Sequence, residues 1–221
     1  MTTEDALRPV LEGVWSDGRT LYTRNLAPGT KVYGERLIEE YGVEYREWVP
    51  YRSKLAAYMM KGGREFPFTK RSRVLYLGAA SGTTASHVAD ICSEGTVYCV
   101  EISQRSFREL VEVCEKRRNM VPILSDATKP MSYKFVVDQA DIVYQDVAQK
   151  NQAAILVSNI REFSATTGML ALKARSEDVT VMPEIIFEQA RKALVAARLK
   201  VLDVRDLGPY EKDHAMMVVS R

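Results

Sequence analysis

Val74-Leu75-Tyr76-Leu77-Gly78-Ala79-Ala80-Ser81-Gly82-Thr83-Thr84 decides the fold. An apolar run with no polar alternation reads as a strand buried on both faces, and it passes into a turn of small residues and then a helix. Small side chains let a ligand approach the backbone, and the start of the helix offers free N–H groups. The spacing is not GxGxxG, so the turn alone is equally a plain strand-to-helix connection.

From Arg73 onward, apolar runs alternate with amphipathic helical stretches, the pattern of a parallel sheet covered on both faces. The strands read as Val74–Leu77, Thr96–Val100, Val121–Leu124, Asp141–Gln145, Met169–Leu172, Val201–Asp206 and Ala215–Val219. Only Leu207-Gly208-Pro209-Tyr210-Glu211-Lys212-Asp213 separates the last two, so they are expected to form an antiparallel hairpin closing a seven-stranded, mostly parallel sheet. Upstream, residues 11 to about 48 read as β. Thr20–Thr23 and Lys31-Val32-Tyr33 alternate between the turn signals Asp17-Gly18 and Asn25-Leu26-Ala27-Pro28-Gly29. Pro50 suits a first helical turn, and Tyr51, Leu55, Tyr58 and Met59 share a face before Gly62-Gly63, which predicts a helix over 50–61. The expected organisation is α/β, with a small antiparallel module over 1–49 and a Rossmann-like domain over 50–221.

The 221 residues suit one such domain with a modest extra module. Hydrophobic residues at 46% and charged ones at 27% fit a chain with a real core. With 31 Lys+Arg against 29 Asp+Glu the net charge is only +2, which speaks against gripping nucleic acid by overall charge. Cys92, Cys99 and Cys114 are an odd number with no CxxC and no His at ligand spacing. They read as reduced thiols rather than a disulfide framework or a metal site. The start Met-Thr-Thr-Glu-Asp leads into no signal-peptide core, and no run approaches the ~18 apolar residues of a membrane span. The expectation is a soluble cytoplasmic protein with no membrane partner and no metal.

Glu101 ends the next strand, 23 residues past Gly78, where an acidic residue can accept hydrogen bonds from a ribose diol. Asp126 follows the third strand in Ser125-Asp126-Ala127, and Asp146 follows the fourth in Gln145-Asp146-Val147-Ala148-Gln149. In open α/β sheets the ligand crevice lies at the carboxyl ends of the strands, so all four ends address one site. This pattern suits NAD or S-adenosylmethionine. The closing antiparallel hairpin is similar to the class I methyltransferase fold rather than to a dinucleotide dehydrogenase.

Six separated strings, in order, carry a family resemblance: Val32-Tyr33-Gly34-Glu35, Arg52-Ser53-Lys54-Leu55, the stretch from Leu77 to Val88, Asp146-Val147-Ala148-Gln149, Lys173-Ala174-Arg175-Ser176, and Pro209 to Ala215. They resemble fibrillarin over nearly the whole chain. With 12 Gly and no Gly/Arg-rich extension, the chain is similar to the short archaeal form. The resemblance implies S-adenosylmethionine-dependent ribose 2′-O-methylation of rRNA and tRNA within a box C/D ribonucleoprotein. Its implied partners are the guide RNA, the target RNA, a Nop-domain scaffold protein and a kink-turn-binding protein.

The resemblance further implies that Gly78, Ala80, Thr83 and Thr84 line the cofactor site, that Glu101 holds the ribose, and that Asp126 with Ala127 reads the adenine. Asp146 and Gln149 are implied at the methionine end. Ile102 stands where relatives often carry Phe on the adenine face, and supplies apolar contact without an aromatic stack. A Lys-Asp-Lys-His set maps onto Lys54, Asp146, Lys173 and His214. A ribose hydroxyl must shed or share its proton as it attacks, and crowded cations lower one another's pKa, which favours Lys173 over Asp146 as acceptor. Taken singly, each member reads equally as a solvated lysine, a helix cap or a structural histidine. His87 carries no catalytic expectation.

Between Arg46 and Arg73 lie eight basic and two acidic residues, a local charge of +6 that leaves −4 for the rest. Tyr45, Trp48, Tyr51, Tyr58, Phe66 and Phe68 interleave with them, a mixture suited to phosphates and stacked bases. The same aromatics serve equally to cement the two modules, which is the role expected of most. Two other functions remain open at this level: methyl transfer to a protein or small molecule, and a cofactor-stabilised, non-catalytic subunit.

Overall fold

In the computed structural model, residues 6–221 are described; the amino-terminal Met-Thr-Thr-Glu-Asp, read as leading into no signal peptide, lies outside them. Two sheets form the molecule. The first is antiparallel: β1 (Arg8–Leu11), β2 (Val14–Ser16), β3 (Leu21–Arg24), β4 (Leu37–Glu40) and β5 (Val43–Trp48), in the order β1-β2-β3-β5-β4. It begins earlier than residue 11, and Lys31-Val32-Tyr33 is not a strand. The Val32 and Tyr33 N–H groups donate to the Glu35 carboxylate, so a side chain satisfies the backbone a ladder would have used.

A single helix over 50–61 does not form. Pro50–Arg52 make one 3-10 turn, Ser53 is extended (φ −149°, ψ 112°), and α1 starts afresh at Lys54–Met60. The Ser53 hydroxyl accepts from Ala56 N, an N-cap that offsets an otherwise orphaned donor. α1 buries Leu55, Ala56, Ala57 and Tyr58, and burying a side chain such as Leu55 contributes roughly 1.5–3 kcal/mol.

The second sheet contains β6 (Arg73–Leu77), β7 (Thr96–Glu101), β8 (Met120–Leu124), β9 (Ile142–Gln145), β10 (Thr167–Lys173), β11 (Lys200–Asp206) and β12 (His214–Ser220). The helices α2 (Thr83–Ile91), α3 (Gln104–Glu115), α4 (Gln152–Glu162), α5 (Ala174–Glu177) and α6 (Pro183–Ala196) connect them. Its order is β11-β12-β10-β9-β6-β7-β8. The expected antiparallel hairpin is present, with β12 inserted between β10 and β11 and antiparallel to both.

Each face of this sheet carries its own core. Val74, Tyr76, Tyr144, Met169, Ala171, Met216 and Val218 point to the side covered by α1, α2, α3 and Trp48 of β5. Leu75, Leu77, Val143, Leu170, Leu172, Met217 and Val219 face α4 and α6. The period of two continues past the strand ends, so Asp146, Lys173 and His214 belong to the same face as Tyr144, Ala171 and Met216. Among the described residues no helix is long and apolar enough to cross a membrane.

The two sheets are joined by a buried polar network. Arg46, fully buried, pairs with Glu35 at 2.7 Å and Asp90 at 2.6 Å, and Arg117 reaches the other Asp90 oxygen at 3.1 Å. His87 bonds Thr23 Oγ1 through Nδ1 at 2.7 Å and Tyr33 Oη through Nε2 at 2.8 Å, and its ring stacks on Trp48. Burial and the nearby Arg46 and Arg117 charges push the His87 pKa far down, so it is a neutral structural residue. Cys92, Cys99 and Cys114 are free and buried.

Candidate functional site

The turn after β6 is built by backbone constraint. Gly78 and Ala79 both donate to Val100 O, while Asp146 N donates to Leu77 O, tying the ends of β6, β7 and β9 together. Gly78 has φ +80°, and a Cβ there would stand 2.2 Å from Asp146 O, so glycine is required twice over. Ala80 also takes a left-handed conformation, φ 47°, and Gly82 at φ +88° leads into α2.

Glu101 closes the turn from the other side. One of its oxygens accepts from Ala80 N at 2.8 Å, and the other from Ser103 N at 2.7 Å. Both bonds orient the carboxylate and leave a lone pair on each oxygen for a diol. Asp126 instead accepts from the Thr128 N–H and hydroxyl, which, with the nearby Lys129 charge, hold its carboxyl below the usual range.

These elements enclose a cleft of about 270 Å³ at the carboxyl ends of β6 to β9. Gly78, Ala80, Glu101, Ile102, Ala127, Asp146 and Gln149 line it, all of them among the residues that the strand ends or the family resemblance imply. Ile102 is 57% exposed at its rim. Thr83, Thr84 and Asp126 are beside the cleft rather than in its lining, and the Thr84 hydroxyl is bonded to Ser53 Oγ. Val100, Ser125, Val147 and Ala148 complete the wall. Sequence reasoning did not single them out, although each flanks a residue that it did.

The cleft fits a nucleoside-type ligand. Apolar walls at Val100, Ile102 and Val147 suit a base, the oriented Glu101 suits a ribose, and Gln149 Oε1 is buried without a hydrogen-bond partner. A buried acceptor left unpaired is costly unless a ligand donor meets it.

The Lys-Asp-Lys-His residues come from four segments. Lys54, the first residue of α1, places Nζ 2.8 Å from Asp146 Oδ2; the two side chains are 18% and 22% exposed. Lys173 and His214 are direct cross-strand partners at the ends of β10 and β12, a position that puts Cβ atoms about 5 Å apart. Gln152 holds the Lys173 backbone from both sides, donating to its carbonyl and accepting from its N–H. The Lys173 ammonium has no carboxylate partner among the described residues. His214 Nδ1 lies 2.7 Å from Lys212 O, so Nδ1 carries the proton and Nε2 is the free acceptor. Burial, with the Lys54 charge adding to it, lowers the His214 pKa and keeps the ring neutral.

The basic segment is less uniform than its sequence. Arg46 is buried in the network between the sheets, while Arg71 pairs with Glu94 and Arg73 with Asp141. Arg52, Lys61, Arg64 and Lys70 remain exposed. Of the six interleaved aromatics only Tyr51 is exposed, at 61%, edge-on to Tyr210 with ring centres 5.0 Å apart. Trp48, Tyr58, Phe66 and Phe68 pack in or against the core, and Tyr45 lies edge-on to Trp15 within the amino-terminal sheet.

The family model Fibrillarin matches residues 4–221. The fibrillarin-like rRNA/tRNA 2′-O-methyltransferase of Methanopyrus kandleri is 53% identical over 209 residues, covering 93% of this chain and 90% of that protein. Aeropyrum pernix fibrillarin with natively bound S-adenosyl-L-methionine superposes with a TM-score of 0.86 and 44% identity, covering 97% of this chain and 99% of that one. The fibrillarin chain of a fibrillarin/Nop5p complex gives 0.89 and 40%, covering 97% and 100%.

Proposed function

Because the chain belongs to the fibrillarin family, we propose that it methylates ribose 2′-hydroxyls of rRNA and tRNA with S-adenosylmethionine. It does so as the catalytic subunit of a box C/D ribonucleoprotein. One observation carries the reading: Asp146 lines the nucleoside cleft and is ion-paired to Lys54, so the cofactor site and the Lys-Asp-Lys-His cluster share a residue.

S-adenosylmethionine, when bound, supplies a methyl group on a positively charged sulfur. Glu101 holds the ribose of that cofactor, Ile102 and Ala127 contact its base, and Gln149 accepts from its polar end. Asp146 fixes Lys54 and would offset the positive charge of the bound cofactor. The acceptor hydroxyl must lie in line and lose its proton as the carbon–oxygen bond forms. Lys173, acting as the neutral amine, takes that proton and becomes the ammonium as the methyl–sulfur bond breaks. Neutral His214 accepts a hydrogen bond at Nε2 and helps to orient the hydroxyl.

Residues 1–49 act as a supporting module and 50–221 as the catalytic domain. Exposed Arg52, Lys61, Arg64 and Lys70 meet phosphates, and Tyr51 offers the segment's exposed ring to an unstacked base. None of these contacts reads sequence, so the target is chosen by a guide RNA, held by a Nop-domain scaffold and a kink-turn-binding protein. The chain works in the cytoplasm.

Reconstitution with guide RNA, scaffold proteins and S-adenosylmethionine, followed by mapping of methylated riboses, tests the assignment. Methylation at the guided position, abolished by Lys173→Ala, is expected. Absence of methylation with the wild-type chain overturns it, and methylation by the isolated chain at unguided sites overturns the dependence on partners.

A further inference from the structure

We propose that Ser53 is the positioning residue that holds Lys54 against Asp146, by anchoring the start of α1 to both the amino-terminal sheet and the helix of the cofactor turn. The inference rests on Lys54 acting in the methyl transfer described above.

Ser53 is 2% exposed and is the single extended residue between the 3-10 turn and α1. Its hydroxyl meets three separate parts of the molecule. It accepts from the Trp48 indole N–H at 2.9 Å and from Ala56 N at 3.3 Å, and shares a 3.0 Å hydrogen bond with Thr84 Oγ1. Trp48 is the last residue of β5, fully buried and stacked on His87. Thr84 is the second residue of α2, two positions after the left-handed Gly82 of the cofactor turn. One oxygen atom thus ties β5, α1 and α2 together.

The consequence falls on the next residue. A lysine ammonium rides on a flexible four-carbon stem, so its position depends on where its Cα is held. Ser53 holds that Cα at the junction of three rigid elements, and Lys54 Nζ then reaches Asp146 at 2.8 Å. Packing alone does not supply this constraint. The apolar residues of α1 resist its lifting off the sheet, whereas the directional bonds of Ser53 oppose sliding and rotation about the helix axis. Misplacement of about 1 Å in such a constellation costs on the order of 100-fold in rate.

The test compares wild type, Ser53→Ala, Ser53→Thr and Thr84→Val in the assembled ribonucleoprotein, with kcat, KM for RNA and for S-adenosylmethionine, and melting temperature. A crystal structure of the Ser53→Ala protein completes it. Ser53→Ala is expected to lower kcat roughly 10- to 100-fold with little change in either KM, and to move Lys54 Nζ away from Asp146. Ser53→Thr keeps the oxygen and restores most of the rate. Thr84→Val cuts the tie to α2 without touching the α1 cap and gives a smaller loss of the same kind. Wild-type kcat in Ser53→Ala, or an unchanged Lys54–Asp146 contact in its structure, overturns the proposal. If the wild-type assembly fails to methylate RNA, the proposed reaction falls, while the Lys54–Asp146 separation still decides the role of Ser53.

Discussion

Lys54 Nζ and Asp146 Oδ2 stand 2.8 Å apart across 92 residues of chain. The pair joins the first residue of α1 to the loop after β9, and so fastens one of the helices covering that face of the core to the wall of the cofactor cleft. Residues acting as one unit lose their effect together. Lys54→Ala and Asp146→Asn are each expected to lower single-turnover methylation by ~10²–10⁴-fold, and the double variant little further. Additive losses in the double-mutant cycle would separate the two roles.

Lys173 is assigned the transferred proton, and that role requires a group able to exist unprotonated. Arginine retains its charge at any accessible pH. Lys173→Arg is therefore expected to be as inactive as Lys173→Ala while binding the cofactor normally. Retained activity in the arginine variant, measured under single-turnover conditions, would move the proton to another acceptor.

Gly78 occupies a place where a methyl group meets Asp146 O at 2.2 Å and the backbone has positive φ. Gly78→Ala must push the loop after β9 away from β6 and distort the cleft. Loss of the thermal stabilisation that S-adenosylmethionine gives the wild type is the expected result, since a ligand raises stability only through native-state binding. Unchanged calorimetric affinity would contradict it.

Asp90 bridges two buried guanidinium groups, Arg46 and Arg117, and together with Glu35 balances their charge. Removing one partner from a buried ionic cluster leaves charge without compensation. Asp90→Ala is expected to destabilise the protein by about 3–5 kcal/mol, read in urea unfolding, although Asp90 is outside the cofactor cleft. A change within experimental error would mean that water replaces the carboxylate.

His87 titrates near 6.5 when exposed in the unfolded chain and far lower when buried. Its folded pKa is depressed, so above 6.5 both states are neutral and pH has no effect through this group. Below 6.5 the unfolded chain takes up a proton that the native one refuses. Stability then falls by roughly 1.4 kcal/mol per pH unit until the folded pKa is reached. Unfolding measurements between pH 7 and pH 5 should show at least this slope, and His87→Gln should reduce it to the part left by His214, whose pKa burial also lowers.

Much of the site was legible because its signals are local. Strand periodicity, small residues after β6 and acidic residues at strand ends all follow from neighbours a few positions apart. They pointed Glu101 and Asp146 into one cleft, to which the family resemblance added Ile102, Ala127 and Gln149. The four polar residues of the catalytic cluster needed the family resemblance, because no local spacing relates Lys54 to Lys173 or His214.

By itself, then, the sequence determined the alternation of strands and helices and the cofactor turn, whereas the common face of Asp146, Lys173 and His214 emerged only with the strand register. A side-chain period of two settles that face once the strands are known. Only the tertiary structure decided which charges meet solvent. Arg46 reads as one more member of a basic segment, yet Asp90, 44 residues away, draws it into the core. Tyr51 stays exposed while Trp48 and Tyr58 are covered, and Ser53 becomes the junction of three elements. Burial and partner choice depend on which surfaces the whole chain brings together, and no local window contains that information.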